Sequence, residues 1–210
     1  MKRFVIAMLL VVMGLTNFAQ AQRHRLSSGE PYDVFLSLKG QYFMTQDNFK
    51  DNYLWGAGGE FQIEFQYQEA KISWGFGLGY DRFQPKTMKR PYLPTKQLFV
   101  AQQVPVTLFC NYYILNERIK PYVGLGLGVV WGRYDYSFSN AENINEYYNR
   151  EFEGQSGFRF GWIPRVGCMI SLDHKNGFGI ELGMQNYLKQ DRLEKQTTFS
   201  AALQYTYIID

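Results

Sequence analysis

Residues 60–68, EFQIEFQYQ, place Phe61, Ile63, Phe65 and Tyr67 at every second position, with Glu60, Gln62, Glu64, Gln66 and Gln68 between them. A period of two belongs to a strand, because successive side chains point to opposite faces. The alternation recurs along the chain. Its apolar phase is Tyr32, Val34, Leu36, Leu38, Tyr42 and Met44 in residues 32–44, and Trp55, Ala57, Phe61, Ile63, Phe65 and Tyr67 in 53–68. Residues 71–82 carry Ile72, Trp74, Phe76, Leu78 and Tyr80. Residues 97–113 carry Val104, Val106, Leu108, Cys110 and Tyr112, and residues 119–133 carry Val123, Leu125, Leu127, Val129 and Trp131. Trp162, Val166, Cys168, Ile170 and Leu172 follow in 158–172, and Phe178, Ile180, Leu182 and Met184 in 178–188. Phe199, Ala201, Leu203, Tyr205, Tyr207 and Ile209 close the series in 196–209.

Eight strands result, joined by connections of alternating length. Glu69-Ala70, Leu115–Arg118 and Asp173–Gly177 are tight turns, the last a hairpin signal. Residues 45–52, 83–96, 134–157 and 189–195 are longer loops. Short turns at one end and long loops at the other predict an all-β, eight-stranded antiparallel up-and-down transmembrane β-barrel, with the turns and both termini in the periplasm. Each strand reaches the 9–11 residues that a tilted membrane strand needs.

One phase is bulky and apolar; the other is rich in Gly, Gln, Glu and Ser. A soluble barrel of lipocalin type would turn its apolar phase inward. Eight strands leave an interior just wide enough for side chains to fill, which suits small and polar residues, so the large apolar phase is assigned to lipid. Closure pairs every backbone group, as the hydrocarbon layer demands. Composition agrees: 18% aromatic residues accompany a mean hydropathy of −0.32, the mixture expected of a barrel that is apolar outside and polar inside.

The N-terminus, MKRFVIAMLLVVMGLTNFAQAQ, has a positive start at Lys2-Arg3, an apolar run over Phe4–Leu15 and a small-x-small site at Ala19–Ala21. It reads as a secretory signal peptide over 1–21, leaving a barrel domain over 22–210 in the outer membrane. Losing Lys2 and Arg3 takes the net charge from +3 to +1, so nucleic acid is not an expected partner. Gln22 rather than Cys at the cleavage point argues against a lipoprotein. No later stretch of eighteen apolar residues predicts a transmembrane helix, and no domain is expected after residue 210. Cys110 and Cys168 fall two strands apart, about 10 Å, too far for a disulfide.

The stretch QVPVTLFCNYYILNERIKPYVGLGLGVVW resembles the fourth and fifth strands of the small OmpA/OmpX-type outer-membrane barrels, in the form common in Bacteroidetes. Pro105 in an apolar strand, Tyr112-Tyr113, and Lys120-Pro121-Tyr122 leading into Gly124-x-Gly126-x-Gly128 carry the likeness. The resemblance implies fold and location. It implies function poorly, since such barrels include stabilisers, adhesins, subunits of larger machines and lipid enzymes.

Asp33, Lys39, Glu60, Glu64, Asp81, Arg165 and Glu181 fall on the inward phase with Gln62, Gln66, Gln103 and Gln185. Buried charges must be paired or solvated. The alternatives are a satisfied polar plug and a narrow pore gated by Lys39 and Arg165. A lipid A-modifying esterase needs a Ser with a His base near the outer leaflet. The two histidines, His24 and His174, sit after the signal peptide and in a periplasmic turn, so no catalytic residue is assigned. GFGLGY and GLGLG lie within strands rather than between strand and helix, which excludes a phosphate loop. No residue cluster has metal-ligand spacing, and no cofactor is implied.

The long loops hold the remaining candidates. Tyr134, Tyr136, Phe138, Tyr147, Tyr148 and Phe152 lie among acids in 134–157, either as part of the outer aromatic girdle or as a surface for an envelope partner. Lys86, Lys89 and Arg90, with Lys96, lie in 83–96, as a solvated loop or a contact to lipopolysaccharide phosphates. The expected role is non-enzymatic: an interaction barrel displaying loops, with an accessory subunit of an envelope complex as one form of it. A small passive pore is the alternative.

Overall fold

The computed structural model describes residues 32–67, 70–86, 95–98, 101–115, 117–139, 152–190, 193 and 195–209. The strands are β1 (Tyr32–Gln46), β2 (Tyr53–Tyr67), β3 (Ile72–Pro85), β4 (Thr95–Leu98), β5 (Ala101–Tyr113), β6 (Ile119–Ser139), β7 (Phe152–Ser171), β8 (Asn176–Tyr187) and β9 (Gln196–Ile209). One short helix, α1 (Asp47–Asn52), joins β1 to β2. The hydrogen-bonded order β6-β5-β3-β2-β1-β9-β8-β7, closed by β6–β7, is an up-and-down barrel of eight strands. β4 is a ninth, short strand outside the ring, paired to the far end of β6 from Leu98↔Tyr136 to Thr95↔Ser139.

The two phases separate as the alternation requires. Leu38, Leu108, Leu125, Leu127, Ile180, Leu182 and Leu203 are all more than half exposed on the outer wall. Lys39, Glu60, Gln62, Glu64, Asp81 and Gln103 are buried inside. Water on both faces would make this inversion unstable, whereas lipid outside makes it the stable arrangement. Trp55, Tyr80, Phe158 and Phe199 lie on the outer wall toward the long loops, and Trp74, Tyr112, Tyr205 and Tyr207 toward the tight turns. These are the two aromatic girdles.

Glycines on the inward phase open space for the charged side chains. A Cβ on Gly77 would sit 2.1 Å from Glu60 Oε1 and 2.7 Å from Thr107 Oγ1, and one on Gly58 would sit 2.0 Å from Asp81 Oδ1. Cys110 lies on β5 and Cys168 on β7, with β6 between them, and both are free thiols.

Three expectations at the long-loop end are corrected. The loop expected over 134–157 is strand at both ends: β6 runs to Ser139 and β7 starts at Phe152, the two paired out to Ser137↔Phe152. The loop expected over 83–96 loses its first residues to β3 and Thr95-Lys96 to β4. The connection over 45–52 contains α1, which begins at Asp47 with φ 50, a left-handed value that Asp tolerates better than most residues. Helical period is illegible over six residues, and strand pairing beyond the lipid band leaves no apolar outward face to read.

Candidate functional site

The barrel interior is filled in tiers. Nearest the tight turns, Phe35, Met169 and Ile208 form a small apolar cluster. Above it Gln204 donates to Ser37 and Thr206 hydroxyls at 2.8 and 2.9 Å. Glu64 then accepts from Tyr113 at 2.7 Å, from Asn111 at 3.2 Å and from Ser73. These three donors are neutral, and one of them, Asn111, in turn accepts from the Arg165 guanidinium.

The middle tier is ionic. Lys39 Nζ lies 2.7 Å from Glu181 and 3.9 Å from Glu60, and Arg165 Nη1 lies 3.6 Å from Glu181. Tyr122 donates to Glu181 at 2.7 Å, while Thr107 and Gln41 donate to Glu60 at 2.8 and 3.1 Å. Arg165 Nε donates to Asn111 at 3.1 Å, and its guanidinium lies 3.8 Å from the centre of the Phe109 ring. Two cations and two carboxylates therefore balance. A cavity of about 20 Å³ open to water centres, lined by Gln41, Glu60, Thr107, Arg165, Glu181 and Ser200, has room for about one water molecule.

The upper tier centres on Arg159, a buried arginine absent from the sequence-derived set. It donates to Tyr134 and to Gln196, and its guanidinium stacks 5.1 Å from the Tyr134 ring and 5.9 Å from Tyr187. Gln103 donates to Gln196 at 2.6 Å and also to Tyr134. Arg159 shares the inward phase of Arg165, six residues along β7, which was the available signal. Asp81 is fully buried at this level, and neither of its oxygens has a hydrogen-bond donor among the described residues. Phe43, Phe49, Tyr53, Phe83 and Ala101 close the long-loop end, with Tyr134 against them. Phe49 of α1 packs edge-on to Phe83 at 5.1 Å and stacks near Tyr53 at 4.7 Å.

The sequence-derived candidates thus divide. Lys39, Glu60, Arg165 and Glu181 meet in one network, Glu64 is joined to it through Asn111, and Asp81 stands apart from it. Asp33 lies half-buried at the tight-turn end of β1. Tyr134, expected in a loop available to a partner, is instead an inward residue of β6 bonded into the lumen. Its phase turns inward because outward positions beyond the girdle meet water. Tyr136 and Phe138 are backbone partners of Leu98 and Lys96 in the β4–β6 ladder, and Phe152 pairs with Ser137. Lys86 is exposed at the end of β3, its N–H donating to Asn52 at 2.9 Å. Lys89, Arg90, Tyr147 and Tyr148 lie outside the described residues. Among the described residues no three His, Cys, Asp or Glu side chains are grouped to hold a metal.

No family model matches the chain, and no curated relative does either. Solved structures do. OprG of Pseudomonas aeruginosa, an outer membrane protein, is similar at TM-score 0.55 and 12% identity, over 85% of this chain and 96% of that one. A major outer membrane protein of Thermus thermophilus is similar at TM-score 0.52 and 13% identity, over 84% and 99%. Ail, the attachment invasion locus protein of Yersinia pestis, is similar at TM-score 0.52 and 12% identity, over 85% and 99%. The chain has the fold of the small outer-membrane barrels.

In a barrel of this kind the tight turns face the periplasm and the long loops face outward. The β7–β8 turn lies at the tight-turn end of the barrel. Its Asp173 accepts from the Asn176 side chain at 2.9 and 2.8 Å and from the Lys175 and Asn176 N–H groups at 2.8 and 2.7 Å. These donors, the Asn176 side chain foremost, hold the Asp173 carboxyl below its ordinary range. His174 is exposed in the same turn.

Proposed function

We propose that this chain is exported by a cleaved signal peptide over 1–21 and serves the outer membrane as a non-enzymatic barrel. Its closed body fixes outward-facing loops for contacts with lipopolysaccharide and, through those loops, with an envelope partner. The observation that carries the reading is the filled lumen. Three side-chain tiers cross it between the periplasmic cluster and the Phe43–Phe83 cap among the described residues, which supports a plug over the passive-pore alternative. The esterase alternative lacks a histidine on the outer side among the described residues. Ail was solved in complex with the heparin analogue sucrose octasulfate, so a barrel of this fold binds a polyanionic saccharide, which supports anionic glycans as the partner class.

The test is planar-bilayer recording of the purified full chain, together with mass analysis of lipid A from cells with and without it. Baseline conductance and unchanged lipid A masses are expected. Reproducible conductance steps would replace this reading with a pore, and a lipid A mass shift would replace it with an enzyme. Purification in mild detergent at native expression level then asks whether a stoichiometric partner accompanies the barrel.

A further inference from the structure

The outer wall carries two arginines just beyond the lipid band. Arg82 on β3 and Arg133 on β6 both occupy the outward phase and are exposed. Their registers meet at one residue: Gln102 of β5 pairs with Arg82 on one side and with Arg133 on the other. The row continues to Ala57 on β2 and Ser156 on β7, both small. Adjacent strands lie about 4.8 Å apart, so the two arginines stand roughly 10 Å apart along one hydrogen-bonded row, which the strand tilt carries obliquely around the barrel. One pleat toward the periplasm lie Tyr80, Val104, Trp131 and Phe158, the outward residues at the edge of the apolar band. Asp81, the acid next to Arg82 in sequence, is buried on the opposite phase and does not share this wall.

A guanidinium on the lipid-facing phase is costly within the hydrocarbon layer, and this cost falls toward zero at the interface. Two of them on one row, flanking an amide and one pleat beyond the girdle, would face the phosphate-bearing headgroups of the outer leaflet in the outer-membrane reading. Arg presents a planar fork that binds phosphate oxygens bidentately. We propose that Arg82 and Arg133, with Gln102 between them, form a clamp on the outer wall for a phosphorylated glycolipid of the lipid A class. The row also links the wall to the basic loop beginning at Lys86, four residues beyond Arg82. This inference rests on the outer-membrane reading above.

The test measures binding of bisphosphorylated lipid A to the full chain in detergent micelles, with enzymatically dephosphorylated lipid A and inorganic phosphate as comparators. R82Q/R133Q is expected to weaken binding about twenty-fivefold, at roughly fivefold per basic residue near a charged lipid surface. K50Q/K195Q removes the same charge from exposed lysines at the same end and should change binding less than threefold. R82K/R133K keeps the charge without the fork and should lose about fivefold; it carries the test where R82Q/R133Q does not fold. Wild-type binding should need the lipid phosphates and resist free phosphate. Equal losses in the Gln and Lys-site doubles, no loss in R82K/R133K, tight binding of dephosphorylated lipid, or displacement by free phosphate would each overturn the clamp. Gel migration of unheated sample separates the two readings: wild type that migrates as an unfolded chain from lipid sinks the membrane barrel itself, whereas a folded barrel indifferent to both arginines sinks only this inference.

Discussion

Lys39 is the residue on which the lumen's charge balance turns. It faces Glu181 and Glu60 with almost no solvent exposure, so its removal strands carboxylates rather than merely losing a contact. Breaking one side of a buried pair costs about 3–5 kcal/mol. K39M should therefore lower the unfolding free energy, read by urea titration in lipid vesicles, by about 3 kcal/mol. K39M/E60Q restores neutrality and should recover most of it; a double variant as unstable as K39M would show that charge balance is not what the tier requires. Asp81 is the opposite case. Both its oxygens lack a donor among the described residues, and the side chain is fully buried. A buried carboxyl with neither oxygen satisfied costs stability, so D81N, whose amide adds two donors, should raise the same free energy by about 1 kcal/mol. A loss of stability in D81N would mean that the carboxylate has a role the surrounding side chains do not reveal.

At the scale of the strand, the period of two was legible because lipid and lumen impose opposite chemistry on alternate residues. EFQIEFQYQ follows its polarity at all but one of its described positions: Phe61 and Tyr67 are exposed outside and Glu60, Gln62, Glu64 and Gln66 are buried inside, whereas Phe65 is covered, its ring 4.8 Å from that of Trp74. The rule ends where lipid ends. Past Trp131 the outward phase becomes Arg133 and the inward phase becomes Tyr134, so the same strand reads as an aromatic, acidic loop. That reversal hid the upper halves of β6 and β7 and put Tyr134 on the wrong side of the wall. The ion pairs were also illegible, because they depend on which strands meet at Lys39, Glu60 and Glu181, and period alone does not give register. The lipid boundary itself is measurable. Leu127 is 62% exposed at mid-band, paired with Leu108 and Trp162, and L127R should cost about 2–4 kcal/mol of insertion stability in vesicles. Arg82 and Arg133 occupy the same phase near the band's edge, where that penalty approaches zero. An L127R barrel as stable as wild type would place Leu127 in water and undo the assignment of faces.

For the whole molecule, closure is redundant. The Phe43–Phe49–Phe83 cap is apolar and is held partly by α1, the Arg159–Tyr134–Gln196 tier lies beneath it, and the Lys39–Glu181–Arg165 tier lies below that. Each spans the lumen with contacts from strands on opposite sides, so on the plug reading proposed above each blocks ions alone. Removing one closure should then leave conductance at baseline. F43A/F83A empties much of the cap while sparing every charged tier, and its planar-bilayer current should match wild type even though its unfolding midpoint falls. Adding R159A to that variant and breaking the ionic tier with K39A should together produce conductance steps that neither the cap variant nor K39A gives alone. Current through F43A/F83A by itself would show that the polar tiers are a lined channel rather than a plug. The aromatic cap would then be a gate, and the chain would belong with the pores.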